Sequence, residues 1–362
     1  MSPPPDAAAR LRLIRSDNIG PITYFHLLAR FGTAQAAIDA IPDLAARGRG
    51  RAPRLVARAQ VEQEMQRVEA LGARHLFLGQ ATYPALLAEL ESAPPALIVA
   101  GDLALLDRPA VAIVGARNAS AGACRFARQL AHDLGALDYV VVSGLARGID
   151  TAAHDGSVGT GTIAVIAGGI DIFYPPENEE RQGIIAARGV LIAEQPPGTE
   201  PRARHFPYRN RIIAGLGQGT VVVEAAPKSG SLITARYAAE FGREVMAVPG
   251  SPLDPRAQGC NLLIREGATL IQNAEDIVEA LSPIHPRPFR QRRLDYTPPT
   301  ISPDTDERTR HAVTDLLGPT PVPVDEIIRQ SGRAPAEVQT VLLELELAGR
   351  LERHAGGRVS LV

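Results

Sequence analysis

Six short runs of apolar, mostly β-branched residues recur between residues 109 and 281, and they predict an α/β fold with a doubly wound, Rossmann-like parallel sheet. The runs alternate with longer segments that carry helical periodicity. They are apolar throughout instead of alternating, as expected when helices cover both faces of a sheet. The runs are VAIVG at 111–115, YVVVSG at 139–144, TIAVIAGG at 162–169, VLIAE at 190–194, TVVVEAA at 220–226 and EVMAVPG at 244–250.

The residues before these runs predict a small helical N-terminal domain, assigned to 1–75. Apolar stripes flank Gly20-Pro21, which ends one helix and begins the next because proline is tolerated in a first helical turn. Two helices joined by a short glycine turn are typical of a helix-hairpin-helix that contacts DNA phosphates, and also of an ordinary small bundle. A polar helix follows over 58–72, and ALIVAG at 96–101 predicts a short strand that opens the central domain, assigned to 76–281.

Six prolines between residues 282 and 305 predict a linker, which also holds the basic cluster Arg287, Arg290, Arg292 and Arg293. The domain after it, 306–362, has the order helix, helix-turn-helix and β-hairpin, which is typical of a winged helix. Its third helix is predicted to start near residue 334 and to run into LERH. Seven arginines against nine acidic residues give this domain a net charge of −2. A DNA-reading helix normally offers cations, so the charge favours a protein-contact or structural role over DNA reading.

Composition excludes several classes of protein. The chain has 362 residues, a net charge of −2 and 45% hydrophobic residues, which argues against disorder along its whole length. It has no apolar run of membrane-spanning length, and its N-terminus lacks the apolar segment of a secretory signal. Cys124 and Cys260 are too few for a disulfide framework and have no zinc-ligand spacing, so we interpret both as packing residues. These observations predict a cytoplasmic protein without a metal site.

The turns that follow the six runs predict a phosphate-binding surface. In an open parallel sheet they lie together at the carboxyl ends of the strands, an edge that we call the rim. Small residues let a ligand approach the backbone, and the N-termini of the next helices offer unpaired N–H groups. The dinucleotide motif G-x-G-x-x-G fails at Arg117, and Lys228 precedes its turn glycine instead of following it, so neither NAD nor ATP is indicated.

The segment 201–211 is a second basic element. It holds four arginines and two aromatic residues and no acidic residue, a pattern that suits single-stranded nucleic acid because rings stack on bases while cations track the backbone. The region 109–281 as a whole has 15 basic and 18 acidic residues. Nucleic acid would therefore need a localised basic patch.

The motifs VAIVGARNASAGA, VVSGLARGIDTAAH, TIAVIAGGIDIFYPPEN, FPYRNRIIAGLGQGTVVVEAAPKSGSLITARYAAEFGREVMAVPG and GCNLLIREGATLI follow one another in unbroken order. In this order they resemble the DprA/Smf family of DNA-processing proteins. The resemblance covers about residues 81–281, and the helical and winged-helix-like flanks fit it. It implies a non-enzymatic homodimer that binds and protects single-stranded DNA and loads the RecA recombinase in natural transformation, with no cofactor.

The resemblance assigns DNA binding to Arg117, to the basic and aromatic segment and to the turn 228–231. Ala203 stands where such proteins often carry a lysine, which leaves open which neighbouring arginine takes its role. With polar residues of the rim turns added, the candidate DNA-contacting set is Arg117, Ser120, Ser143, Arg147, Arg202, Arg204, Phe206, Arg209, Asn210, Arg211, Lys228, Ser229, Gly230 and Ser231. The candidate dimer contacts are Leu262, Leu263, Ile264 and Leu270.

A rival interpretation is a phosphoribohydrolase of the same sheet type, which cleaves nucleoside monophosphates. Its motif P-G-G-x-G-T-x-x-E places a carboxylate where this sequence has Thr234, and a threonine cannot stabilise an oxocarbenium-like centre. Glu224 could substitute only with different geometry. Asp150 and His154 are one helical turn apart and could form an acid–base pair, but we expect them to cap and pack a helix.

Overall fold

The computed structural model describes residues 4–282, 305–354 and 356–362. The predicted linker and its four arginines therefore lie almost wholly outside the described residues. The described chain packs as two units, one formed by residues up to Gln63 together with those from Thr305 onward, and one that starts at Glu64. No helix among the described residues has both the length and the apolar character needed to cross a membrane.

The N-terminal residues form three helices, α1 (Ala7–Ile14), α2 (Pro21–Phe31) and α3 (Ala34–Arg47). Helix α2 begins at Pro21 directly after Gly20, as the sequence predicts. The Thr33 hydroxyl accepts the Ala36 N–H at 3.2 Å and so caps α3. The polar helix α4 (Arg58–Ala70) follows and leads into the sheet unit.

All six predicted runs form strands. In chain order the sheet unit continues with β1 (Arg74–Phe77), α5 (Ala85–Ala88), β2 (Ala96–Gly101), β3 (Ala110–Gly115), α6 (Ala121–Ala136), β4 (Val140–Ser143), α7 (Ile149–Ser157), β5 (Thr162–Ile166), α8 (Glu179–Arg188), β6 (Val190–Ala193), α9 (His205–Leu216), β7 (Gly219–Val223), α10 (Ser231–Glu240), β8 (Glu244–Ala247), α11 (Gln258–Arg265), β9 (Thr269–Leu270) and α12 (Ala274–Leu281).

The sheet has nine strands in the order β1-β2-β6-β5-β4-β3-β7-β8-β9. Strands β6 to β9 in this order are parallel, whereas β2 pairs antiparallel with β6 and β1 antiparallel with β2. The chain leaves β3 toward β4 on one side and later returns to β7 on the other. The pair β3 and β7 is therefore the switch point of the doubly wound sheet, where ligands of this architecture bind.

Helices cover both faces of the sheet. Along β3, Val111 and Ile113 pack into one hydrophobic cluster, while Ala112 and Val114 pack into the other. This confirms the doubly wound arrangement predicted from uniformly apolar strands. The Cys260 thiol lies in the same cluster as Ala112 and Val114, and burial raises its pKa to about 11.

The C-terminal residues form α13 (Glu307–Thr314), β10 (Val322–Pro323), α14 (Val324–Ser331), α15 (Pro335–Leu347), β11 (Leu351–His354) and β12 (Arg358–Leu361). The three strands pair antiparallel in the order β10-β12-β11, which gives the predicted winged helix. LERH forms β11 instead of the end of α15. The reason is Gly349, which takes a φ of 70° and stops the helix.

Helix α7 buries His154, whose Nδ1 lies 2.7 Å from the Thr162 hydroxyl. Burial lowers the pKa of His154 to about 3, against the opposing effect of the Asp155 carboxylate and with a smaller contribution from the guanidinium of Arg209. The residue is neutral in the folded protein, so it packs the helix and does not act as a proton donor at neutral pH.

This burial predicts a pH dependence of stability. Below pH 6.5 His154 binds a proton in the unfolded chain but stays neutral in the folded protein. The free energy of unfolding therefore falls as the pH drops toward 3. Between pH 7 and pH 5 we expect wild type to lose about 2 kcal/mol more than His154→Gln, measured by urea unfolding. The control is His132→Gln, the same replacement at a histidine whose side chain is 64% exposed.

Candidate nucleic-acid interface

The first two turns of α9 bring Phe206 and Arg209 to the rim. They are three positions apart and lie on the same side of the helix. Arg117, in the turn after β3, places its Cζ 5.0 Å from the centre of the Phe206 ring, and the Cζ of Arg209 lies 5.9 Å from it. Two guanidinium groups therefore share one aromatic ring, and both residues belong to the predicted set.

These three side chains line a cavity of about 300 Å³. The turns after β3, β4 and β5 complete its wall with Asn118, Gly144, Ala146, Arg147, Ala167, Tyr174 and Pro175. The cavity thus lies at the carboxyl ends of the strands, where the sequence predicted a ligand site.

Arg209 is the buried cation of the site. Its Nη1 donates to the Val165 carbonyl at 2.7 Å and to the carbonyl of Gly144. Burial lowers the pKa of Arg209 to about 10, against the opposing pull of the Asp150 carboxylate, so the group stays charged at neutral pH. Arg209 therefore ties α9 to the turn after β4 and adds positive potential to the cavity.

Asp150 holds the same turn from the opposite side. Its Oδ2 accepts the N–H groups of Gly144 at 3.2 Å and Ala146 at 3.4 Å. Burial raises the pKa of this carboxyl, and the neighbouring Arg209 acts against that shift. The residue is thus a structural acceptor, and His154 does not form a proton relay with it.

Sequence analysis did not single out the exposed aromatic residue Tyr174, which lines the cavity. The Tyr174 ring lies 5.6 Å from Phe206 and is 45% exposed. Phe173, next to Tyr174 in the chain, is also an exposed ring, as is Tyr208, one of the two aromatic residues counted in segment 201–211. The signal available in the sequence was the pair Phe173-Tyr174 directly before two prolines in a rim turn.

Four other predicted cations are exposed. Arg147 forms an ion pair with Glu177, and its side chain is 60% exposed. Arg202 and Arg204 precede α9 and are exposed, as is Lys228 in the turn before α10. The structure therefore leaves these four predicted cations exposed, and Arg147 among them also lines the cavity.

The turn at 228–231 lies beside α9. The Asn210 Nδ2 donates to the Gly230 carbonyl at 3.3 Å, which links the two segments. Within the turn, the hydroxyls of Ser229 and Ser231 are 2.7 Å apart. This leaves the ammonium of Lys228 as the exposed group of the turn.

Three predicted residues have side chains engaged elsewhere. Ser143 is fully buried and donates to the Ile113 carbonyl at 2.6 Å. The Ser120 hydroxyl accepts the Ala123 N–H at 3.1 Å as the cap of α6. Arg211 is buried, pairs with Glu194 and donates to the Ser92 carbonyl at 2.6 Å. It lies two positions beyond Arg209, about 200° around the helix, and so faces away from the cavity.

The N-terminus of α6 already holds an anion of this chain. The Glu224 Oε2 accepts the Ser120 N–H at 2.7 Å, and the Arg256 Nε lies 3.1 Å from Oε1. Glu224 takes a φ of 55° to do so, at the end of β7 beside the switch point. The position that a nucleotide phosphate would take in a doubly wound sheet is thus filled by a carboxylate. Thr234, where a hydrolase would need its carboxylate, is buried.

The candidate dimer contacts lie at one edge of the sheet. Strand β9 pairs with β8 and has no second neighbour among the described strands, and its Leu270 is 45% exposed. Leu263 and Ile264 pack partly against the core from α11, and Leu262 is half-buried. An open edge strand with an exposed leucine is suited to pairing with another chain.

Three models of known protein families match this chain. The model of the family described as DNA recombination-mediator protein A matches residues 74–282. A DprA-like N-terminal HHH domain matches residues 4–66, and a DprA winged-helix domain matches residues 297–357.

Individual relatives agree with these matches. Protein Smf of Synechocystis is 36% identical over 306 residues, 76% of this chain and 77% of its own. DNA processing protein DprA of Streptococcus pneumoniae is 46% identical over 198 residues, 54% of this chain and 70% of its own.

Two solved structures are also similar. The X-ray structure of DprA from Streptococcus pneumoniae superposes with a TM-score of 0.64 at 33% identity, over 77% of this chain and 98% of that one. A DprA structure from Helicobacter pylori, described for its single-stranded DNA binding mode, superposes with a TM-score of 0.52 at 29% identity, over 57% of this chain and 95% of that one. Since the family model covers more than half of the chain, this protein belongs to the DNA recombination-mediator protein A, or DprA/Smf, family.

Proposed function

We propose that this protein binds single-stranded DNA without sequence preference at the rim, protects it, and loads RecA onto it in transformation. The observation that carries the proposal is the shared ring of Phe206, with Arg117 and Arg209 against it in a cavity beside exposed Tyr174. A binding role without a catalytic site accounts for this arrangement.

The chemistry of the cavity suits a single strand. Exposed cations contact phosphates, which carry no base information, and aromatic faces accept any base. Stacked bases of a duplex cannot enter such a cavity, so duplex DNA should bind weakly. The carboxylate of Glu224 at the α6 N-terminus disfavours a phosphoribohydrolase, because it repels the phosphate of a mononucleotide.

Relatives lend support to the same role. The DprA relatives of Streptococcus pneumoniae and Bacillus subtilis are named DNA processing proteins, and the Helicobacter pylori protein is described as binding single-stranded DNA. We extend this activity to the present chain, together with a cytoplasmic location and a homodimer through the β9 edge. The RecA contact rests on the family resemblance.

The test is binding of labelled oligo-dT and of a matched duplex, followed by fluorescence anisotropy across a salt series. The proposal requires tight single-strand binding that falls steeply with salt and weak duplex binding. Equal binding of both forms, or no binding with hydrolysis of nucleoside monophosphates, would overturn it.

Tyr174 provides a specific prediction for this assay. We expect Tyr174→Ala to weaken oligo-dT binding about tenfold, since stacking of one base on a ring contributes roughly 1–3 kcal/mol. Tyr174→Phe keeps the ring and should bind like wild type. Because no cation is lost, the salt dependence of Tyr174→Ala should match that of wild type. A change in that slope, or equal losses in both variants, would show that Tyr174 does not stack on a base.

A further inference from the structure

Helix α15 is buried on more than one face. Val338, Val341, Leu342 and Leu345 pack into the core of the winged helix itself. Leu343 and Leu347 are fully buried as well, but in a different cluster, with Leu13, Tyr24 and Leu27 among other residues of the N-terminal helices. The spacing of four between Leu343 and Leu347 makes them one stripe of the helix. This stripe is covered by the other end of the chain.

Two glycines after α3 permit this contact. A Cβ on Gly48 would lie 2.2 Å from the Glu344 carbonyl oxygen, and one on Gly50 would lie 2.3 Å from the Ala348 carbonyl oxygen. Both distances are far below van der Waals contact. The backbone after α3 therefore meets the end of α15 at a separation that only glycine allows.

Polar contacts join the same two segments. The Arg350 Nη1 donates to the Gly48 carbonyl at 3.2 Å. Arg49 forms an ion pair with Glu307 at the start of α13. Apolar, backbone and charged contacts thus converge on one surface, which indicates a specific fit.

We propose that the third helix of the winged helix is a docking face for the N-terminal helices of the same chain, and that the two terminal modules act as one body. In a DNA-binding winged helix this helix enters the major groove. Here the stripe of Leu343 and Leu347, which the winged-helix core does not use, is apolar and is covered by the N-terminal helices. Three glutamates, Glu337, Glu344 and Glu346, make the helix acidic. Its recognition partner is protein, and the partner is part of this chain.

The test follows hydrogen exchange of the full-length protein by mass spectrometry. Leu343→Asp with Leu347→Asp should speed amide exchange at least tenfold in α2 and α3 as well as in α15, because the docking face is lost from both sides. Gly50→Ala lies outside the winged helix and should raise exchange in the same three helices. Gly318→Ala adds the same methyl group where nothing lies within 4 Å, and should leave exchange unchanged.

Two outcomes would overturn the inference. One is unchanged exchange in α2 and α3 when the leucine stripe of α15 is replaced. The other is a wild-type chain that binds duplex DNA, together with leucine replacements that abolish this binding and leave amide exchange in α2 and α3 as slow as in wild type. Gly50→Ala separates loss of docking from unfolding of the winged helix, since its own core residues are untouched.

Discussion

Arg117→Glu is expected to weaken oligo-dT binding by about 100-fold at low salt. Hydrogen bonds to charged groups contribute roughly 1.5–3 kcal/mol, and the reversal adds a repulsive charge to the one that is lost. Arg117 lies against Phe206 at the mouth of the cavity, so a carboxylate there faces both phosphate and stacked base. The affinity should be measured by anisotropy at several salt concentrations, and the salt dependence should become shallower.

Two further charge reversals test whether the effect of Arg117→Glu is specific to the rim: Lys228→Glu at the rim and Arg188→Glu away from it. Lys228 lies in the exposed turn beside α9, and its reversal should also weaken binding. Arg188 ends α8 at the opposite edge of the sheet, just before β6, and carries the same charge change away from the rim. If Arg188→Glu weakened binding as much as Arg117→Glu, the effect would reflect net charge, and the rim would not be the DNA site.

Gly144→Ala should lower the free energy of unfolding of the sheet unit by about 3 kcal/mol. The added Cβ would lie 1.9 Å from the Arg209 Nη1 and 2.8 Å from the Asp150 Oδ2. One of these buried charged groups must then give up hydrogen bonds to the backbone, and a hydrogen bond to a charged group contributes roughly 1.5–3 kcal/mol. Urea unfolding gives the change in stability, and oligo-dT binding should fall with it because Arg209 lines the cavity.

Gly159→Ala is the matched control for this change. Gly159 is exposed and does not line the cavity, and a methyl group added to it would have no neighbouring atom within 4 Å. We expect its unfolding curve and its DNA binding to match wild type. A Gly144→Ala protein as stable as wild type would mean that the turn after β4 adjusts freely, contrary to the rigid role assigned to Arg209 and Asp150.

The central strands could be predicted because burial on both faces leaves a continuous apolar run in the sequence. Strand β1 has no such run, since RHLF buries only its last two residues, and the two residues of β9 are too few to show any period. The antiparallel pairing of β1 and β2 also leaves no mark in composition. The pairing of β2 with β6 joins strands that β3, β4 and β5 separate in the chain.

Residue type was enough to predict part of the candidate site, but whether a residue reaches the cavity also depends on which way its side chain points. Arg117, Phe206 and Arg209 converge because strand ends and a helix start meet at the rim. Ser143 and Arg211 have suitable chemistry, but both point into the core. Which face of a strand or helix a residue occupies cannot be deduced from its polarity alone. Tyr174 was missed because its contact with Phe206 spans two separate elements.

The contact between α15 and the N-terminal helices also affects the order in which parts of the chain fold during synthesis. The N-terminal helices are translated before the sheet unit, whereas α15, which completes their hydrophobic cluster, is translated after it. The whole sheet unit is translated in between. Until α15 emerges, the apolar surface that it will cover stays open, and a folded sheet unit shortens the gap that the late helix must close. The body formed by the N-terminal helices and the winged helix is therefore expected to mature after the sheet unit.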